Sequence, residues 1–281
     1  VGCDTAAGRA TRHKIDLDAY CERIGYSGCR EASLETLRAV HNAHATSIPF
    51  ENLDVLAGRR ISVDAAEVER KLVRDRRGGY CFEHGTLLMD ALSQMGFEVI
   101  PITARIRWQV PADVVTNLGH MRLLVRLGDR SYVADTGLGA TTLPEPLLLE
   151  PHIEQPTSLD IRRLVPVGEE LLEQVNFGSG WVDICMFRPV GVPAPDFELG
   201  NWYHSTHPQS LFVCNLVVAL PGADHRRSLF NHEFVTRWVD GRTEREMIGS
   251  ERRMRAVLNE HFGLNLSHHD HLSCEGLAWP R

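Results

Sequence analysis

Three residues of this chain have the types and spacing for nucleophilic chemistry: Cys81, His120 and Asp135. The cysteine lies in RRGGYCFEHG, residues 76–85, where two glycines lead into an apolar, helix-like run. The first N–H groups of a helix lack internal acceptors, and the helix dipole adds partial positive charge there. Both favour a thiolate, the attacking form of cysteine. The paired glycines permit unusual backbone angles and close approach of a substrate. A lone cysteine is more often an inert core residue, so the thiol needs partners to carry meaning.

A base and an orienting group stand in GHMRLLVRLGDRSYVADTGLG, residues 119–139. HMRLLVRL and RSYVADT read as two strands joined by the two-residue turn Gly128-Asp129. That turn sets Leu127 opposite Arg130, Leu124 opposite Val133, Arg122 opposite Asp135 and His120 opposite Gly137. His120, Arg122 and Asp135 then share one face. His120 and Asp135 are diagonal neighbours roughly 7–8 Å apart, within reach of long side chains. Gly137 is expected to leave room for the imidazole. A slip of one residue would send Asp135 to the other face. With fourteen histidines in the chain, one such diagonal arises readily by chance.

The elements that must position these residues change character along the chain. Residues 14–96 read as a helical bundle: IDLDAYCERIG, SLETLRAVHNAHATSI with Ser33 as its cap, SVDAAEVERKLV, and GYCFEHGTLLMDALSQMG ending at Gly96. Residues 97–190 hold short runs (FEVIPITARIRW, HMRLLVRL, SYVADTG, IRRLVPV, LLEQVNF, WVDICMF) at the spacing of an antiparallel sheet or barrel. GVPAPDFELGN reads as a connector. Residues 191–281 mix strands (SLFVCNLVVAL, EFVTRWVDG) with one charged helix (ERRMRAVLNEHFG). The fold class expected is α+β, in three parts.

Composition narrows the function classes. The 281 residues are 43% hydrophobic and 24% charged, ordinary for a globular protein. The net charge of −7 without a basic stripe argues against a nucleic-acid partner. No apolar run reaches membrane-spanning length. The start, VGCDTAAGRATRH, lacks a signal-peptide core and reads as a disordered leader. The seven cysteines (3, 21, 29, 81, 185, 214, 274) form no CxxC pair, which points to free thiols in a reducing cytoplasm. SHHDHLSC near the C-terminus places His268, His269, Asp270, His271 and Cys274 together, but at no ordered metal spacing, and no metal is expected.

RGGYCFEH, with His120 39 residues after Cys81 and Asp135 15 further on, resembles the arylamine N-acetyltransferases. SLETLRAVHNAHATSIPFENLD resembles that family's early helix and Pro-Phe-Glu-Asn turn, and NWYHSTHPQSLFVCNLVVA its Thr-His-Pro segment. The resemblance implies a helical bundle, a β-barrel and a C-terminal α/β lid, with a cysteine-protease-like core. It implies Cys81 as nucleophile, His120 as base and Asp135 as its orienting partner. Acetyl-CoA is the implied cosubstrate, and an arylamine or hydrazine accepts the acetyl group by ping-pong chemistry. Phe50 and Leu138 are expected at the acceptor, and Gly137, Gly139 and Thr206 at CoA. Arg77 and Glu51 are implied to brace the nucleophile loop. An oligomer is compatible with the sequence.

The chain departs from the family pattern in places. Gly85-Thr86 replaces the usual Asn-Gly and is expected to loosen the first turn of the helix. Leu138 replaces an aromatic, so the acceptor wall cannot stack. Ser210 and Thr206 offer polar contacts, while His207 fits a structural role equally. The same triad would also serve a macrolactam-forming amide synthase, which the Leu138 exchange mildly favours, or a cysteine hydrolase of the papain or transglutaminase kind. A degenerate relative that only binds CoA or aromatics is the non-enzymatic alternative.

Overall fold

The computed structural model describes residues 14–267, 272–277 and 279. The expected leader and the histidines of the SHHDHLSC cluster lie outside the described residues.

The N-terminal helices follow their local signals. α1 (Leu17–Ile24) is capped by Asp16, whose carboxylate accepts the Ala19 N–H at 3.0 Å. α2 (Leu34–Ser47) is capped by Ser33, which accepts the Thr36 N–H at 3.1 Å. Pro49 follows, and the chain runs through a two-residue strand β1 (Phe50–Glu51), the short α3 (Leu53–Leu56) and α4 (Ala65–Glu69). α4 continues as one wider π-helical turn, Arg70–Arg74. The long helix α5 (Cys81–Gln94) is buried over nearly all its first three turns. Its polar members Glu83, His84, Thr86 and Asp90 are buried along with the apolar ones, so the helix is enclosed on all sides. Tyr20, Leu37, Leu72 and strand residues Met121, Leu123 and Val125 belong to the core around it.

The barrel is an eight-stranded antiparallel sheet. Its strands are β2 (Glu98–Ile106), β3 (His120–Leu127), β4 (Arg130–Ala134), β5 (Leu147–Leu148), β6 (Gln155–Pro156), β7 (Ile161–Val167), β8 (Glu170–Asn176) and β9 (Trp181–Phe187). Their order is β5-β4-β3-β2-β9-β8-β7-β6. The Gln155 carboxamide bridges the two end strands, accepting the Leu148 N–H at 2.8 Å and donating to the Leu148 carbonyl at 3.0 Å. One side chain thereby imitates a ladder pair and nearly closes the barrel.

The rest of the chain carries α6 (Ala194–Thr206), α7 (Leu211–Cys214), β10 (Val217–Pro221), β11 (His225–Phe230), β12 (Glu233–Trp238), β13 (Thr243–Met247) and α8 (Glu251–Phe262). A second sheet has the order β1-β10-β11-β12-β13, so the two-residue β1 of the N-terminal region is its edge. Three sequence expectations need correction here. GVPAPDFELGN is not a connector but the start of α6, with Pro193 and Pro195 at the helix entry, where proline needs no N–H partner. SLFVCNLVVAL is not one strand: Ser210 caps a helical turn before β10 begins. Strands β11 and β13 were absent from the expected set because HRRSLF and TEREM are dominated by charge.

Candidate active site

The loop that delivers Cys81 is fixed from three sides. Gly79 N–H donates to the Pro49 carbonyl at 3.2 Å, and Glu51 N–H donates to the Gly79 carbonyl at 2.8 Å. Arg77 Nη2 reaches Glu51 Oε1 at 3.2 Å and Asp54 Oδ1 at 3.1 Å. Glu83 accepts the Tyr80 N–H at 3.0 Å, half of a capping box, and is paired with Lys71 Nζ at 2.7 Å. The glycines serve by their lack of bulk rather than by unusual angles: a Cβ on Gly78 would sit 2.1 Å from the Pro49 carbonyl oxygen. The left-handed backbone falls at Arg76, with φ 52°.

The hairpin register matches the sequence reading, with Leu127 opposite Arg130, Leu124 opposite Val133 and Leu123 opposite Ala134. His120 Nε2 and Asp135 Oδ2 are 2.7 Å apart. Asp135 Oδ1 accepts the Gly137 N–H at 3.1 Å, and the Asp135 N–H donates to His41 Nε2 at 2.9 Å. The Cys81 thiol lies 4.0 Å from the carbonyl oxygen of Gly119, the residue before His120, and interacts electrostatically with the imidazole. With Nε2 directed at Asp135, Nδ1 is the nitrogen left for the sulfur. Cys81, His120 and Asp135 are thus together, each buried; Cys81 is 4% exposed.

Electrostatics follow from that burial. Desolvation alone would depress His120, but the Asp135 carboxylate outweighs it and raises the imidazole to about 9. Burial would raise Asp135; His120 and Arg122 instead hold its carboxyl well below the usual range. His120 is therefore protonated at neutral pH, beside the thiol.

Two expectations about glycines are corrected. The gap at Gly137 is filled by α5 and not by the imidazole, since a Cβ there would meet Cys81 Cα at 2.8 Å and His84 Cβ at 3.1 Å. Gly85 does not loosen the first turn: α5 runs unbroken, and a Cβ at Gly85 would meet Met121 Sδ at 2.8 Å. Its absence lets β3, and with it His120, lie against the helix that carries Cys81.

The remaining sequence candidates are placed unevenly. Phe50 is buried, stacked on His84 at 6.3 Å and tilted on Phe212 at 5.9 Å, and Gly139 lies against its ring. Leu138 is half-buried ahead of the helical turn Gly139–Thr141. Thr206 stands at the exposed end of α6, its hydroxyl donating to the Trp202 carbonyl at 2.5 Å. Ser210 donates to the His204 carbonyl at 2.6 Å, and His207 stacks on Tyr203 at 4.6 Å.

Several site residues escaped the sequence reading. α6 borders the site: Tyr80 Oη bonds the Asn201 side chain, and a Cβ at Gly119 would strike His204 Nε2 at 2.1 Å. Behind α5 runs a chain of neutral groups: Tyr20 Oη to His44 Nδ1 at 2.9 Å, His44 Nε2 to His84 Nδ1 at 3.0 Å, and His84 Nε2 to the Pro49 carbonyl at 3.3 Å. Burial drives His84 to about 4 and also holds His44 well below the usual imidazole range. The one available signal was the helical spacing of His41 and His44 on an apolar face.

A buried thiol, an imidazolium and a carboxylate are brought together where a helix start meets a barrel hairpin. An N-acetyltransferase family model matches residues 33–271. The arylamine N-acetyltransferase of Mycolicibacterium smegmatis is 36% identical over 256 residues, covering 90% of this chain and 93% of the relative. The Escherichia coli enzyme is 32% identical, covering 91% of each. The Mycobacterium marinum structure superposes with a TM-score of 0.86 at 33% identity, over 88% of this chain and 92% of that one. The same M. marinum protein solved in complex with CoA gives 0.85. The chain belongs to the arylamine N-acetyltransferase family.

Proposed function

We propose that this chain moves an acetyl group from acetyl-CoA to an arylamine or arylhydrazine by a ping-pong route, with Cys81 as nucleophile, His120 as acid and base, and Asp135 as its orienting partner. The Cys81 thiolate attacks the thioester carbonyl; the carbon–sulfur bond to CoA breaks, and His120 gives its proton to the departing CoA thiolate. The acceptor nitrogen then attacks acetyl-Cys81 and passes a proton to neutral His120. The second carbon–sulfur bond breaks, restoring thiolate and imidazolium. The Cys81 backbone N–H, at the first helical position, is the candidate donor to both tetrahedral oxyanions.

The 2.7 Å His120–Asp135 contact beside a buried thiol is the observation that carries this reading. An imidazolium is the natural counter-ion of a thiolate. Burial of Cys81 supports transfer over hydrolysis, since an acyl-cysteine kept from bulk water survives until an amine arrives. No helix among the described residues is long and apolar enough to cross a membrane. A reducing compartment suits the six free cysteines there. CoA is bound by the M. marinum relative, and we assign Gly137, Gly139 and Thr206 to the same ligand here, with Phe50 and Leu138 toward the acceptor. The aliphatic Leu138 favours a larger acyl substrate and amide synthesis as the second reading.

The test is intact-protein mass spectrometry after mixing with acetyl-CoA alone. One acetyl adduct is expected on the wild type, absent in Cys81→Ala and discharged by an arylhydrazine. Folded protein with no adduct would remove acetyl-CoA as donor and favour the second reading.

A further inference from the structure

Asp135 is shared. His120 Nε2 lies 2.7 Å from its Oδ2, and Arg122 Nε lies 2.9 Å from the same oxygen, with the Arg122 side chain 0% exposed. The Arg122 Nε–H is not aimed at that oxygen, so this contact is one of charge. Its directed bonds go deeper into the barrel: Nη2 to Glu173 Oε2 at 2.5 Å and Nη1 to Cys185 Sγ at 2.9 Å. Arg162 Nη1 donates to Glu173 Oε1 at 2.5 Å and Arg162 Nε to Asp160 Oδ1 at 2.9 Å, while Asp160 Oδ2 pairs with Arg226 of β11. Cations and carboxylates alternate in one buried row that begins at the site.

We propose that Arg122 is a positioning residue of the site, a fixed charge that shares Asp135 with His120. The proposal rests on the assignment of His120 as the acid and base of the reaction. Two cations meeting on one oxygen compete for it. The guanidinium keeps its proton throughout the working pH range, whereas the imidazolium does not. Arg122 therefore keeps Asp135 ionised in both protonation states of His120. It also weakens the hold of Asp135 on the imidazolium, so that His120 releases its proton more readily than a lone Asp–His pair would allow. Each turnover of the proposed route needs one such release and one recapture.

The other titratable groups facing this pair are Cys81 and His84 from α5, His41 from α2, His204 from α6, Glu173 from β8 and Cys185 from β9. Burial drives His41, His84 and His204 to about 4, so these carry no charge at neutral pH. The permanent charges beside the pair are Arg122 and Glu173, and Glu173 is itself shared with Arg162.

The test is the titration of the His120 ring, followed by NMR of histidine-labelled protein, with its signal identified by its loss in His120→Gln. The pH dependence of Cys81 alkylation by iodoacetamide is measured alongside. Neither readout involves acetyl-CoA or an acceptor, so a failure of the acetyl-transfer assignment leaves both standing. Arg122→Met should move the His120 titration upward by about one pH unit or more, and the upper transition of the alkylation profile with it. Glu173→Gln, which leaves more of the Arg122 charge to Asp135, should move it downward, and keeps the test open if Arg122→Met does not fold. Arg122→Lys should retain the wild-type titration within about 0.3 pH unit. Folded Arg122→Met or Glu173→Gln titrating as the wild type would overturn the proposal, leaving Arg122 as barrel filling. An Arg122→Lys variant that behaves as Arg122→Met would overturn it equally.

Discussion

Replacing Arg77 by methionine should cost this protein about 3 kcal/mol of stability. The Glu51 side chain is 0% exposed and that of Arg77 18%, so the pair is desolvated and removing the cation strands a buried carboxylate. Breaking such a pair typically costs about 3–5 kcal/mol, against roughly 1 or less for a surface pair. The low end applies here for two reasons. Lys71 stays 2.9 Å from Asp54 and its charge also reaches Glu51. Glu51 Oε2 keeps the Leu53 N–H at 2.6 Å. Asp54 supplies an internal control, because Arg59 holds its Oδ1 at 3.0 Å from a side chain 50% exposed. Urea unfolding followed by circular dichroism compares Arg77→Met with Arg59→Met. The first should lose several times what the second loses, and its Cys81 should acetylate more slowly because the turn ahead of α5 has lost an anchor. Equal and small losses in the two variants would refute the claim that this pair is buried in the energetic sense.

Gly137→Ala should lower stability by about 1–3 kcal/mol through overpacking against Cys81 and His84, and should slow single-turnover acetylation of Cys81 by at least about tenfold, since small displacements of reacting groups are costly; a wild-type acetylation rate would contradict the close-approach argument. Acid should destabilise the fold before carboxylates titrate. His41 and His84 fall to about 4 when folded but return toward roughly 6.5 when unfolded, so the unfolded chain binds more protons between those values and stability drops as pH falls through that window. His120, raised to about 9, acts oppositely: its contribution is complete below about 6.5 and is lost as pH rises through 9. The urea midpoint should accordingly peak near neutrality, and a flat profile from pH 4 to 9 would count against both assignments. Gln155→Leu should raise amide hydrogen exchange at Leu148 while sparing β2 and β3, because only the barrel seam loses its bridge.

The grouping of Cys81, His120 and Asp135 was legible because its two halves are local. A glycine pair before an apolar run marks a helix start, and a two-residue turn fixes a register that counting alone can follow from Leu127 back to Leu123. α6 was not legible: its two entry prolines and Gly200 resemble a loop, and its side chains show almost no amphipathic stripe. The histidine chain behind α5 was equally hidden, since His44 and His84 lie on different helices. Arg122 was placed on the correct face, yet its sharing of Asp135 depends on Glu173 three strands away around the barrel. Charge networks of that kind are assembled by closure of the sheet, which no local pattern encodes.

The two-residue strand β1 has a consequence for the order of assembly. Phe50 bridges to Gly79 on one side and pairs with Ala219 on the other. The turn presenting the thiol is therefore flanked by chain made late in synthesis. A ribosome-bound segment that stops before Val217 has Cys81 and His120 already translated but the outer edge of that turn unpaired. Pairings across so much intervening sequence are slow to form. The outer edge of the turn ahead of Cys81 is thus closed only when β10 pairs with β1, a step that no stretch of chain before Val217 can supply.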